Sequence, residues 1–292
     1  GIKCLLYKQS GIGGQTVTTY YPLVALPLEY AEAAHQAVLT SWSTFSALKG
    51  GLSSPTMGSV DLVFVLLPYV EAPSVLALVP SLAPDPTCKI TVFLGAIQAN
   101  EKSKSGPNDY GRFQQTVAHE VFHCYQQWNF PDHFPNQADS SDWGVQDWWG
   151  EGTAEYFSNV AFPTVNDEWG RIPGFDFKSA SKSLVELSYN NTVFFQYMAN
   201  TLTNDGLLKL LHGLPYSGNE QDQAAALSKW PNIDQHFHDF GRAFFDGQIK
   251  DSSGALLPSV VYRFTESFSA ILGANVFMGR QQMIDSAINE IR

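Results

Sequence analysis

Hydrophobic positions along the chain switch between two periods. After Pro27, Tyr30, Ala33/Ala34, Ala37/Val38, Ser41/Trp42 and Phe45 recur at helical spacing, which predicts a helix over Leu28–Leu48. Val60–Leu67 and Lys89–Leu94 are short β-type runs, separated by a Pro-rich connection from Pro68 to Pro86. A polar loop, Asn100–Asp109, carries Ser-Gly-Pro and should end the strand region. Arg112–Trp128 then reads as a helix with no Pro or Gly inside, and Phe113, Val117 and Val121 form its core-facing stripe.

Residues Asn129–Gln146 form a loop rich in Asp, Pro, Asn and Ser, and Asp147–Val160 is helical again. Further helical patterns cover Val193–Leu202, Leu207–His212, Gln221–Lys229 and Ile233–Phe245. A last β-like run, Ser259–Thr265, precedes a terminal helix over Arg280–Ile291. The outline is α+β: a mixed α/β subdomain, 1–128, and a mainly helical subdomain, 129–292. No internal repeat or low-complexity tract breaks it.

Composition narrows the class. The 292 residues hold 17 Lys+Arg against 28 Asp+Glu, a net charge of −11, and charged residues make up only 15%. With 7 Trp, 12 Tyr and 20 Phe, this is not a disordered chain. An acidic balance without a Lys/Arg block argues against nucleic acid or an anionic membrane as partner. Asp61, Pro68, Glu71 and Pro73 interrupt the most apolar stretch, Val60–Val79. It therefore falls short of the roughly 20 apolar residues of a spanning helix.

Gly1–Ser10 lacks the apolar core of a signal peptide, which a mature chain would have lost. Low charge and Ser/Thr/Asn-rich loops lean towards export. Three cysteines are too few for a disulfide framework. Cys4 and Cys88 are a candidate pair in an oxidising compartment, leaving Cys124 a buried thiol; three free cysteines are the alternative.

The candidate chemistry begins inside the Arg112–Trp128 helix, where Ala118-His119-Glu120-Val121-Phe122-His123 contains His-Glu-x-x-His. Residues i and i+4 share a helical face, so His119 and His123 can offer two imidazoles to one metal ion. Glu120 lies about 100° around the helix, beside the metal without having to ligate it, as a general base acting on metal-bound water requires. Both histidines sit roughly 200° from the apolar stripe, on the side where a cleft is expected.

A second pattern, Trp148-Trp149-Gly150-Glu151-Gly152-Thr153-Ala154-Glu155-Tyr156-Phe157, starts 25 residues after His123. Glu151 and Glu155 would repel at i, i+4 on a bare helix, costing a few tenths of a kcal/mol. A metal and a histidine N–H would make use of both. Glu151 can be the third protein ligand, and Glu155, one turn on, can accept the free N–H of a ligating histidine. Gly150, Gly152 and Ala154 are small enough for this helix to approach the first closely. Two solvated carboxylates on an amphipathic helix are the plainer alternative.

These two strings resemble the gluzincin metallopeptidases, the broad group that includes thermolysin, zinc aminopeptidases and bacterial collagenases. The Trp-Trp-Gly-Glu-Gly-Thr-Ala-Glu-Tyr-Phe string looks most like the collagenase-type branch. The match covers about Thr116–Val160. The resemblance implies a zincin-like catalytic domain with one Zn2+ held by His119, His123 and Glu151, and with Glu155 behind them. It also implies peptide hydrolysis with Glu120 as base, and both subdomains acting as one catalytic unit. Tyr189, just before the Val193–Met198 helix, resembles the tyrosine that helps hold the oxyanion in such peptidases; an ordinary helix-entry aromatic is the alternative. The aminopeptidases of the group carry a Glu for the substrate's amino terminus, whereas Gly95-Ala96-Ile97-Gln98-Ala99 places Gln98 there. Endopeptidase action is therefore favoured.

Several residues read more plainly. His236 and His238, two apart, point to different faces of a helix. His212 near Gly213 suits a helix C-terminus, and His133 is a loop histidine. Asp132, Asp139, Asp142 and Asp147 lack the alternation of a calcium loop. Trp128, Trp143, Trp148 and Trp149 are core residues or an apolar substrate wall. Asn190-Asn191-Thr192 matches a glycosylation acceptor. His, His, Glu ligation would also hold cobalt or manganese. The rival to a peptidase is a zinc-stabilised, catalytically silent binding or scaffold domain, against which the presence of Glu120 speaks.

Overall fold

The computed structural model describes residues 4–22, 28–66, 77–78, 86–96, 110–130, 147–214 and 220–258. Its sheet has five strands, β1 (Cys4–Ile12), β2 (Gln15–Pro22), β3 (Ser59–Val65), β4 (Ala77–Leu78) and β5 (Thr87–Phe93), in the order β1-β2-β3-β5-β4. The inner pairs β2/β3 and β3/β5 are parallel, while both edge strands, β1 and β4, run antiparallel to their neighbours. Seven α-helices lie wholly among the described residues: α1 (Glu29–Ser46), α2 (Gly111–Asn129), α3 (Asp147–Ala161), α4 (Ile172–Ser179), α5 (Thr192–Leu211), α6 (Glu220–Leu227) and α7 (Ile233–Phe245). The architecture is α+β.

The hairpin β1–β2 does not figure among the sequence-predicted elements. Its strands, Cys-Leu-Leu-Tyr-Lys-Gln-Ser-Gly-Ile and Gln-Thr-Val-Thr-Thr-Tyr-Tyr-Pro, lack a regular alternation, but the turn between them is Gly13-Gly14, with φ of 55° and 82°. Two consecutive left-handed residues make the turn that suits the strand twist, and only Gly adopts it without strain. The predicted patterns Val193–Leu202 and Leu207–His212 are the two limbs of α5, which breaks at Thr203 with φ 69°. The connection after Val65 contains β4, which the proline-rich pattern conceals.

Strand β3 alternates as expected of a sheet with one packed face, with Val60, Leu62 and Phe64 fully buried. On β5 the inward residues are Cys88, Ile90 and Val92. Helix α2 packs against α1 and α3 through aromatic side chains: Phe122 stacks on Phe157 at 4.3 Å and meets Phe45 edge-on at 5.2 Å. Val117, Val121 and Cys124 lie on one side of α2, and Cys124 forms a disulfide with Cys88.

That bond corrects the expected cysteine pairing. Cys88 points inward from β5 and Cys124 falls on the apolar stripe of α2, so the two thiols face each other. Their Cα atoms stand 5.7 Å apart, within bonding reach. Trp148 and Trp149 are fully buried and belong to the core rather than to a substrate wall. Gly152 also serves a contact that the sequence did not suggest, since a Cβ there would meet Phe195 and Asn191. Asn190, in the acceptor pattern, is only 9% exposed and donates its side-chain amide to the Arg171 carbonyl, so in this fold it offers no acceptor to a glycan.

The loop residues His133, Asp132, Asp139, Asp142 and Trp143, the Gln98 segment, Ser259–Thr265 and Arg280–Ile291 lie outside the described residues, as does the side chain of Asp147. Among the described residues no helix is long and apolar enough to cross a membrane.

Candidate metal centre

Helix α2 is enclosed on almost every side, and even opposite its apolar stripe His119 and Glu120 are only 6% and 7% exposed. There the Nε2 atoms of His119 and His123 stand 3.0 Å apart, with their rings edge-to-face at 4.7 Å. Glu151 on α3 completes the group, its Oε2 lying 2.9 Å from His119 Nε2 and 3.5 Å from His123 Nε2. One donor atom from each of the three falls within 4.8 Å of the others.

The other ring nitrogens are committed elsewhere. Gln126, one turn after His123, donates its amide nitrogen to the Gly150 carbonyl and to Thr153 Oγ1, both at 2.9 Å. That orientation turns its Oε1 towards His123, 2.8 Å from Nδ1, so Nδ1–H donates and Nε2 keeps its lone pair. On His119 the Nδ1 faces Glu155 Oε2 at 3.1 Å. The approach is off the N–H axis, so this contact is electrostatic rather than a well-directed hydrogen bond. Arg171 in turn donates Nε–H to Glu155 Oε1 at 2.7 Å.

The consequence is two imidazole Nε2 atoms and one carboxylate oxygen converging on the same small space. With no proton on either Nε2, these three atoms only repel one another. A cation or a proton among them removes the conflict, and two His nitrogens with one carboxylate oxygen are a donor set suited to a divalent metal that leaves a position open. The residues present therefore fit such an ion. Burial opposes a charge on His119, yet the Glu151 and Glu155 carboxylates outweigh it and push the pKa up to about 10. His123 is raised as well, against burial, by Glu151. Glu151 is held well below the usual carboxylate range despite its burial, chiefly by His123 and His119. All these directions mark a site that attracts positive charge.

No family model and no curated protein matches the chain. A solved structure described as an aminopeptidase N family protein from Idiomarina loihiensis is similar in fold, with a TM-score of 0.49 and 13% sequence identity. The alignment covers 90% of this chain and 49% of that one, so the chain spans about half the length of that protein. A likeness of this size carries no argument about chemistry, and it gives the collagenase-type branch no support.

A cleft of about 310 Å³ opens beside the donor group. His119, Glu120 and Glu155 line it, together with Gln115, Thr116, Ser158, Asp167, Arg171, Tyr189 and Ala77 of β4. Tyr189 occupies a short 3-10 turn (Tyr189–Asn191) ahead of α5. Its ring stacks on His119 at 5.6 Å, with 17° between the planes. Burial, followed by the Glu151 and Glu120 charges, pushes its phenol up, so the hydroxyl stays protonated. All five residues singled out for the site thus meet at one place, and Tyr189 joins them.

Two further residues escaped the sequence reading. Gln126 stood in plain view three residues after His123, where a helix returns to the same face. Arg171 carried no local signal, because a 3-10 turn (Asp167–Arg171) brings it back to Glu155. His212 packs its ring on Phe130 at 4.3 Å, and His238 pairs with its neighbour Asp239; neither adjoins the donor group.

Proposed function

We propose that the protein is a zinc-dependent metallopeptidase of the gluzincin type that hydrolyses internal peptide bonds. The observation that carries this reading is the meeting of three metal donors beside a cleft that His119 and Glu120 line. His119, His123 and Glu151 would hold the ion, with Gln126 fixing the tautomer of His123 and the Glu155 carboxylate facing Nδ1 of His119. A zinc ion bound there supplies Lewis acidity towards a carbonyl oxygen and a water molecule.

The chain's own groups supply the rest. Glu120 accepts a proton from the attacking water as its oxygen bonds to the carbonyl carbon, and returns that proton to the amine nitrogen when the C–N bond breaks. Tyr189, kept protonated, donates a hydrogen bond to the carbonyl oxygen as negative charge grows on it. An extended peptide suits the cleft because Ala77 lies on its wall in β4, an edge strand of the sheet. An edge strand can pair with a substrate backbone in any sequence. Gln98, where the aminopeptidases of the group carry a carboxylate, is the reason to favour endopeptidase action.

In this reading 1–128 and 129–292 act as one catalytic unit, because the ligands come from both. The chain works in an oxidising, extracellular setting, a proposal supported by the Cys88–Cys124 disulfide. Hydrolysis of internally quenched peptides by the zinc-loaded protein and by Glu120→Gln tests the function. Turnover by the parent, with a loss of at least about a hundredfold in the variant, is expected of a general base. A zinc-loaded parent that cleaves no peptide of a broad library would favour the silent binding domain.

A further inference from the structure

Arg171 pairs with Glu155 beside the donor group, and among the described residues most of its hydrogen-bonding capacity is unused. A guanidinium has five N–H donors. Nε–H goes to Glu155, and among the described residues no acceptor meets the terminal nitrogens. Its Cζ lies 4.7 Å from the centroid of the Tyr189 ring, so the fork is braced by a cation–π contact as well as by the ion pair. The side chain remains 41% exposed and lines the cleft.

A second carboxylate that lines the cleft, Asp167, also acts on Arg171. It is paired with Arg112 at 3.2 Å and so does not claim the fork. A rigid, half-exposed guanidinium with free Nη–H groups is a bidentate receptor for a planar anion.

We infer that Arg171 is a specificity-determining residue that receives a carboxylate of the substrate, either an acidic side chain or the free carboxyl terminus. The inference rests on the peptidase reading, since it names the substrates that reading leaves open. Glu155 offsets part of the guanidinium charge but occupies one donor, and Tyr189 fixes the plane in which the other four are offered. A peptide seated on the cleft with its carbonyl at the donor group passes this fork, separated from the donors by the Glu155 carboxylate and the His119 ring.

The test uses zinc-loaded protein and matched peptide pairs, one series with Asp or Asn scanned along the sequence and one with a free or amidated terminus. The parent is expected to favour the carboxylate member by tenfold or more in kcat/KM, mainly through KM. In Arg171→Gln that ratio should fall to about one whatever the absolute rate, and Arg171→Lys should restore part of it. A preference confined to Asp identifies the side chain as the source, and one confined to the free terminus identifies the terminal carboxylate. Calorimetric binding of the same pairs to Glu120→Gln runs in parallel. Tighter binding of the carboxylate member there supports the inference even if the parent hydrolyses nothing, which separates its fate from that of the peptidase reading. Equal binding and equal turnover of both members, or a preference that survives Arg171→Gln, would overturn it.

Discussion

Replacing Cys88 and Cys124 together by Ala probes how α2 is held to the sheet. The disulfide closes a loop with a sequence separation of 36 residues. In the chain-entropy model a loop of that size restricts the unfolded state by about 13 cal/mol/K, or about 4 kcal/mol at 25 °C. Both sites are buried, at 1% and 0% exposure. Loss of the sulfurs therefore adds unfilled space on top of the entropy. Domains of this size are stable by only about 5–15 kcal/mol, so the variant should lose a large share of its margin. Urea unfolding followed by tryptophan fluorescence reads the change as a lower midpoint, and reducing agent should destabilise the parent while leaving the variant unchanged. A loss below about 1 kcal/mol, or equal sensitivity of both proteins to reductant, would refute the role assigned to this bond.

The remaining predictions concern the site and its surroundings. Gln126→Ala and Glu155→Gln should each weaken zinc binding about 10–100-fold in competition with a chelator; unchanged affinity would mean that the imidazoles need no external orientation. Gly152→Ala should cost about 1–3 kcal/mol, because its Cβ would stand 2.8 Å from Phe195 Cε2 and 2.9 Å from Asn191 Cβ. Gly150→Ala, with nothing within 4 Å, should stabilise α3 by about 0.5–1 kcal/mol; equal effects at the two sites would contradict the packing described. Burial, against a hydrogen bond from Gln115, pushes the Glu168 carboxyl up to about 7. The folded state then keeps a proton that the unfolded state releases at about 4.5. Stability from this group is full below pH 4.5 and declines by up to about 3 kcal/mol as the pH rises to 7. Glu168→Gln should flatten that slope in unfolding measurements, and parallel slopes would refute it.

Much of this was legible because helical periodicity is a local property. The stripe Phe113, Val117, Val121 located α2, and the two histidines on its far side located the donor group before any contact was known. Glu151 and Glu155 were legible for the same reason, as a like-charged i, i+4 pair that a helix would otherwise avoid. The hairpin β1–β2 was not, since adjacent apolar pairs such as Leu5-Leu6 and Tyr20-Tyr21 break the alternation of its strands, although Gly13-Gly14 marked their turn. Cys88 with Cys124, and Arg171 with Glu155, depend on how elements meet across the fold. Each lies on a predictable face of its own element, but no single-chain period says which faces oppose each other. The packing of Gly152 against Phe195 was hidden for the same reason.

The central claim is that His119, His123 and Glu151 together hold one metal ion. Equilibrium zinc titration of the parent and of the single variants His123→Ala and Glu151→Gln, with metal content measured after gel filtration, tests it most directly. The account predicts one zinc per chain in the parent and substoichiometric, weakly held metal in both variants, each folded by circular dichroism. A parent that retains no zinc, or variants that bind it as tightly as the parent does, would contradict the account.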